Sequence, residues 1–280
     1  MANMNNRYKA LLAADMDYTL LRPGEDVFEG NKVAIRDLKK AGVAFTIATG
    51  RSAFLVGRYV DDLELDVPLI TSNGGTLFDP LTNTQFAARN FKEDKLRRML
   101  RCLLDNNADV TLYSDEGIFF APFSNRKSFV NAYNKGLKPS EQAPMIDFDN
   151  SFPDKDQIPH FNKVLLQNPN NEILAMLSSD PELEAIYSGP GLYDIMPKGS
   201  TKGDALVNLA SYLNIPQTKT FAIGDNENDV SMIAAARYGI AVGNATDGAK
   251  KAASYISANY DSLGFAKAVY EYVIPLAEQM

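Results

Sequence analysis

Ala10-Leu11-Leu12-Ala13-Ala14 runs straight into Asp15-Met16-Asp17-Tyr18-Thr19-Leu20. Five consecutive apolar residues without alternation read as a strand covered on both faces, the pattern of a parallel sheet. The two carboxylates that follow then stand at the strand's C-terminal end, where open α/β sheets bind ligands. An isolated Asp-x-Asp leaving a strand is ordinarily a polar turn. Here the pair follows a fully apolar strand, and two like charges placed together are unfavourable unless a cation or a proton resolves them. That pushes the reading towards a metal site.

The flanking sequence repeats the scheme. Residues 31–40 read as a helix, with Val33, Ala34, Leu38 and Ala41 at helical spacing, and Gly42 ends it. Residues 43–48 and 68–72 read as second and third buried strands. Towards the other end, 203–213 is an amphipathic helix with Leu206, Leu209, Ala210 and Leu213 on one face. Residues 220–223 follow as a strand, 229–236 as a helix, 239–242 and 255–257 as short strands, and 263–273 as a closing helix. The middle differs: a helix over 96–104, a hairpin of 110–113 and 118–121, and a long connection over 137–159. A strand over 161–166, a helix over 171–177 and a strand pair at 184–187 and 192–196 complete it. The prediction is an α/β fold, a doubly wound parallel-sheet (Rossmann-like) core formed by residues 1–81 and 191–280. An inserted α+β cap occupies 82–190.

Composition narrows the chemistry. The chain has 280 residues, 45% hydrophobic and 22% charged, an ordinary globular profile. Its net charge of −7 disfavours nucleic acid and anionic membranes as partners. Any anionic substrate must therefore meet a local positive site. One cysteine, Cys102, precludes an internal disulfide and fits a reducing cytoplasm. The polar stretch from Met1 to Lys9 lacks the apolar core of a signal peptide. No apolar run approaches the ~18 residues of a membrane span. The expectation is a cytoplasmic monomer or small homo-oligomer. His160 is the only histidine and reads as a loop residue, so chemistry rests on Asp, Glu, Lys, Arg, Ser or Thr. Phe119, Phe120 and Phe123 read as cap core or interface.

Polar groups recur at the ends of the predicted strands. Thr49-Gly50-Arg51-Ser52 offers a hydroxyl and free N–H groups, an anion-binding arrangement. Thr71-Ser72-Asn73-Gly74-Gly75 ends the third strand. Lys202 opens a helix, where its charge opposes the macrodipole and needs another reason. Gly224-Asp225-Asn226-Glu227-Asn228-Asp229 puts acids and amides at one more strand end. Parallel strands bring these ends to one rim, where the acids can converge on one hard cation and Thr49 and Lys202 can meet a phosphate.

These motifs resemble the haloacid dehalogenase superfamily of phosphohydrolases, in its Cof-type branch with a type IIB cap. Asp15-x-Asp17-x-Thr19, Thr49-Gly50-Arg51, Lys202-Gly203-x-Ala205-Leu206 and Gly224-Asp225-Asn226-Glu227-Asn228-Asp229 match its four motifs in order. Asn73-Gly74, Gly243-Asn244-Ala245 and the run Ile195-Met196-Pro197-Lys198-Gly199 resemble the branch as well. The family usually has Gly where this chain has Tyr18. The resemblance implies a Mg²⁺-dependent phosphatase acting on a small phosphorylated metabolite, a sugar phosphate or a phosphorylated cofactor. Asp15 would be the nucleophile and Asp17 the acid and base. The metal would be held by the Asp15 and Asp225 side chains and the Asp17 backbone carbonyl. Thr49, Gly50, Arg51, Asn73, Lys202 and Asn228 would bind phosphate or substrate, with Asp229 in support. In the cap, Asn162 and Lys163 would touch a polar substrate, a reading weighed equally against an exposed strand lysine. A sugar phosphomutase on the same scaffold is the alternative. An aspartate-phosphorylated signalling receiver needs only ~120 residues and no lid, and a silent binding protein has no chemical need of both Asp15 and Asp17.

Overall fold

The wholly buried strand Ala10–Ala14 lies at the inner position of a five-stranded parallel sheet. The order is Tyr255–Ile256, Tyr238–Ala241, Thr220–Gly224, Ala10–Ala14, Val43–Ile47 in this computed structural model, which describes residues 7–280. The first six residues of the polar stretch 1–9 fall outside the described part. Ala14 lies in register with Ile223 on one side and Ile47 on the other. The residues that follow these positions therefore emerge on one edge. The chain runs to one side of Ala10–Ala14 in its first third and to the other in its last, which makes that edge a topological switch point.

Two sequence expectations in this unit need correction. The helix Glu29–Lys40 buries Asn31, Ala34, Ile35 and Leu38, whereas Val33 is exposed. A polar residue takes the inner position because Asn31 stitches two segments: its Nδ2 donates to the Leu20 carbonyl (2.9 Å) and its Oδ1 accepts from the Ala266 N–H (3.2 Å). The third strand, Leu69–Thr71, meets the parallel sheet only through a bridge between Ile70 and Ala48. It then reverses and pairs antiparallel with Thr76–Asp79, which pairs with Thr84–Phe86. The reversal follows from three successive left-handed residues, Ser72, Asn73 and Gly74.

The chain divides into two compact units. The first comprises residues 1–50, 59–86 and 201–280; the second comprises Arg51–Arg58 and Ala87–Ser200. The second is built on a six-stranded sheet ordered Leu183–Gly189, Leu192–Pro197, Phe161–Gln167, Asp109–Ser114, Ile118–Phe120, Met145–Asp147. Only the last pair is parallel. The helices Glu93–Asp105 and Asn171–Ser178 contribute Leu100, Leu103, Ile173 and Leu177 to a core with Val110, Leu112, Val164 and Leu166. The opposite side packs Leu55, Tyr113, Phe120, Val130 and Leu165. The stretch 137–159 is not a plain connection, since it supplies the edge strand Met145–Asp147. The helix Arg126–Asn134 was not anticipated either; it buries Val130 alone and so carries little periodic signal. Phe119 and Phe120 are core residues, but Phe123 is 60% exposed. No helix among the described residues is long and apolar enough to cross a membrane.

Candidate active site

The sheet edge positions the acids before any side chain acts. The Asp15 N–H donates to the Ile223 carbonyl (2.9 Å) and the Ala48 N–H to the Ala14 carbonyl (2.8 Å), so the ends of three strands are tied together. Asn73 joins the second of these, donating its N–H to the Thr49 carbonyl (2.9 Å). Gly74, at φ 95°, lets this turn press on the next element: a Cβ there would lie 2.2 Å from the Thr201 carbonyl oxygen. That carbonyl opens the helix Lys202–Tyr212, whose N-cap Thr201 accepts from the Asp204 N–H (3.1 Å).

Lys202 is fully buried, so it is not a solvated lysine at a helix start. Its ammonium bridges Asp15 Oδ1 and Asp229 Oδ1, each at 2.6 Å. Asp229 Oδ2 in turn accepts the N–H groups of Asp225 (2.9 Å) and Asn226 (3.0 Å). Gly224 leaves room for this carboxylate, since a Cβ there would lie 2.6 Å from it. Thr19 donates its hydroxyl to Asp225 Oδ1 (3.0 Å), and Asn228 donates its amide to Asn73 Oδ1 (3.0 Å). Asn244 donates to the Tyr18 carbonyl (3.0 Å).

The charges do not balance within this cluster. Burial, followed by the Asp229 carboxylate and, more weakly, Asp225 and Asp17, pushes the Asp15 carboxyl well above its usual range against the pull of Lys202. Burial and then Asp229 push Asp225 up too, against the Thr19 hydrogen bond and Lys202. For Lys202, burial alone would lower the ammonium pKa, but Asp15 and Asp229 outweigh it and the value is raised. Lys202 therefore stays charged, and the carboxylates remain short of positive charge. Asp15, Asp225 and Asp229 each offer an oxygen within 4.8 Å of the others, a set that suits a hard cation. Asp229 already uses both oxygens on Lys202 and backbone amides, so it orders the group.

The structure thus brings together Asp15, Lys202, Asp225 and Asp229, with Asn73 and Asn228 as a hydrogen-bonded pair and Thr49 buried beside them in the chain turn. Asp17 is half-buried. Arg51, Asn162 and Lys163 belong to the second unit. Lys163 is not an exposed strand residue: it is buried, 3.2 Å from Asp194 Oδ1 and 4.3 Å from the centre of the Tyr113 ring. Sequence reasoning gave Thr19 no role of its own and gave Asp229 a supporting one. The signal for both lay in their motifs, as the hydroxyl after the acid pair and the last acid of the turn.

Residues 12–269 match the family model of haloacid dehalogenase-like hydrolases, and the chain belongs to that family. The 5-amino-6-(5-phospho-D-ribitylamino)uracil phosphatase YwtE of Bacillus subtilis is 31% identical, over 91% of this chain and 95% of its own. The pyridoxal phosphate phosphatase YbhA of Escherichia coli is 25% identical, over 94% and 98%. A solved haloacid dehalogenase-like hydrolase from B. subtilis superimposes with a TM-score of 0.80 at 25% identity, covering 94% of this chain and 99% of that one. The molecule is a phosphoric monoester hydrolase.

Proposed function

We propose that this enzyme hydrolyses a small phosphorylated metabolite through a covalent phosphoryl intermediate on Asp15, with Mg²⁺ as its metal. The observation that carries the reading is the buried Lys202 ammonium shared by Asp15 and Asp229. It fixes the Asp15 carboxylate and places a permanent positive charge where phosphate oxygens would gather. An Asp15 oxygen forms a bond to phosphorus as the ester bond breaks, and Asp17 gives a proton to the departing oxygen. Asp17 then takes a proton from water, whose oxygen bonds to phosphorus while the Asp15–phosphorus bond breaks, releasing inorganic phosphate. Thr49, Gly50 and Lys202 hold the non-bridging oxygens, Asn73 and Asn228 line the substrate side, and Asp229 keeps Lys202 in place. Arg51, Asn162 and Lys163 contribute from the second unit, the cap that selects substrate.

The Asp15 and Asp225 side chains and the Asp17 carbonyl would hold the metal, which supplies charge neutralisation so that two anions can approach. The charge deficit around Asp15 and Asp225 supports this assignment. The relatives point to the substrate class. YwtE is named for a phosphoribitylaminouracil and YbhA for pyridoxal phosphate, both esters whose leaving group carries a planar heteroaromatic ring. We extend that class to this chain. Excess chelator should abolish release of inorganic phosphate from a generic aryl phosphate, and Mg²⁺ should restore it without any bisphosphate activator. Full turnover in chelator would overturn the metal assignment, and a need for bisphosphate would turn the reading towards a mutase.

A further inference from the structure

Tyr18 stands between Asp17 and Thr19 with a left-handed backbone, φ 62°. A residue with a Cβ is strained there, and non-glycine residues held this way cluster at functional sites. The turn's own hydrogen bonds do not ask for a tyrosine. The Tyr18 N–H donates to the Leu21 carbonyl (2.7 Å) and its carbonyl accepts from Asn244 (3.0 Å), contacts that any residue's backbone supplies. The reason for the side chain lies elsewhere.

The ring is 48% exposed, yet it is held. Tyr260 meets it edge to face, with centroids 5.6 Å apart and planes at 85°. Tyr260 is itself fixed on three sides. Its N–H donates to Asn244 Oδ1 (2.9 Å), its hydroxyl accepts from Arg22 Nε (3.3 Å), and its ring lies 6.2 Å from that of Phe28. One asparagine, Asn244, thus grips the backbones of both tyrosines. The result is a rigid, half-open aromatic surface one residue from the acid that serves the departing oxygen. Rigid tyrosines of this kind offer contact area at low entropic cost.

We propose that Tyr18 is a specificity-determining residue, on which the planar heteroaromatic leaving group of a phosphate monoester stacks. The inference rests on the phosphatase reading above, with Asp17 as the acid. Consecutive Cα atoms are ~3.8 Å apart, so a ring anchored next to Asp17 stands within reach of the group that Asp17 protonates. Aromatic pairing beyond area burial is worth about a three- to tenfold effect on affinity.

The test compares pyridoxal phosphate with glycerol phosphate, which has no ring, using the full chain with Mg²⁺. Tyr18→Gly should lower the kcat/KM preference for the ring-bearing ester by about three- to tenfold, through KM rather than kcat. Tyr18→Phe should keep the preference. Tyr212→Ala, which removes an exposed aromatic ring that stands against Phe86, should leave it unchanged. An equal change on both esters in Tyr18→Gly would make the residue a structural part of the turn and overturn the inference, as would a parent enzyme that prefers the ringless ester. A parent that hydrolyses a generic aryl phosphate but neither ester would overturn this inference alone, and one that hydrolyses none of the three would sink the phosphatase reading with it.

Discussion

Among the described residues two lysines are buried, one in each unit, and their surroundings differ in charge. Lys163 lies beside the Asp194 carboxylate, whose other oxygen accepts the Ser188 hydroxyl (2.7 Å). The Tyr113 ring lies 4.3 Å from the same ammonium. Lys202 bridges Asp15 and Asp229, while Asp17 and Asp225 add further negative charge to the same group. A lysine outnumbered by carboxylates leaves an excess of negative charge that a proton, a ligand or a metal must answer. The contrast is between a lysine with a carboxylate beside it in the second unit and one outnumbered by carboxylates at the strand ends of the first.

Three substitutions can break or sharpen this contrast, ranked by their expected effect on turnover. Asp15→Asn should lose kcat by on the order of 10⁶, the scale seen when a covalent nucleophile is removed. Near-normal steady-state turnover, free of deamidation back to Asp, would remove Asp15 from the nucleophile's role. Lys202→Met should lose on the order of 10³ in kcat, since one charged donor to the transition state disappears. Added Mg²⁺ should not restore it, and retention of more than a tenth of the activity would place Lys202 in structure alone. Lys163→Met should alter kcat per folded molecule less than tenfold but cost about 3–5 kcal/mol of stability, because the buried Asp194 carboxylate loses its ammonium partner. Pairing it with Asp194→Leu should recover most of that loss in a denaturant titration. A stable Lys163→Met with a raised KM would instead show that Lys163 leaves Asp194 to meet substrate.

The same contrast explains what could be read from the chain before its structure. The apolar runs at 10–14 and 43–47 can only be buried strands, and the acids after them fall on the rim whatever the details of packing. The site was legible because its residues sit at strand ends and helix starts, positions fixed by local pattern. Even Lys202 announced itself, by opposing the helix dipole. The second unit was less legible because its central pairings, Phe161–Gln167 with Asp109–Ser114 and with Leu192–Pro197, span long stretches of chain. Lys163 meets Asp194 only because Val164 is in register with Ile195 and Leu165 with Asp194, which places the two charges diagonally on one face. Nothing local encodes that register. Edge elements such as Met145–Asp147 bury too little to leave a periodic trace, and Asn31 took a core position that apolar patterning would deny it.

The parallel pairing of Ala10–Ala14 with Thr220–Gly224 also sets a timetable. At about 5–20 residues per second, the ribosome delivers the later strand roughly 10–40 s after the earlier one. During that wait Ala10–Ala14 can pair only with Val43–Ile47, and its other edge stands open. The second unit, nearly all of it contiguous, is complete before Thr220 is made. Asp15 therefore meets Lys202 and Asp229 among the last events of synthesis, and the nascent chain carries its phosphate chemistry unassembled until then.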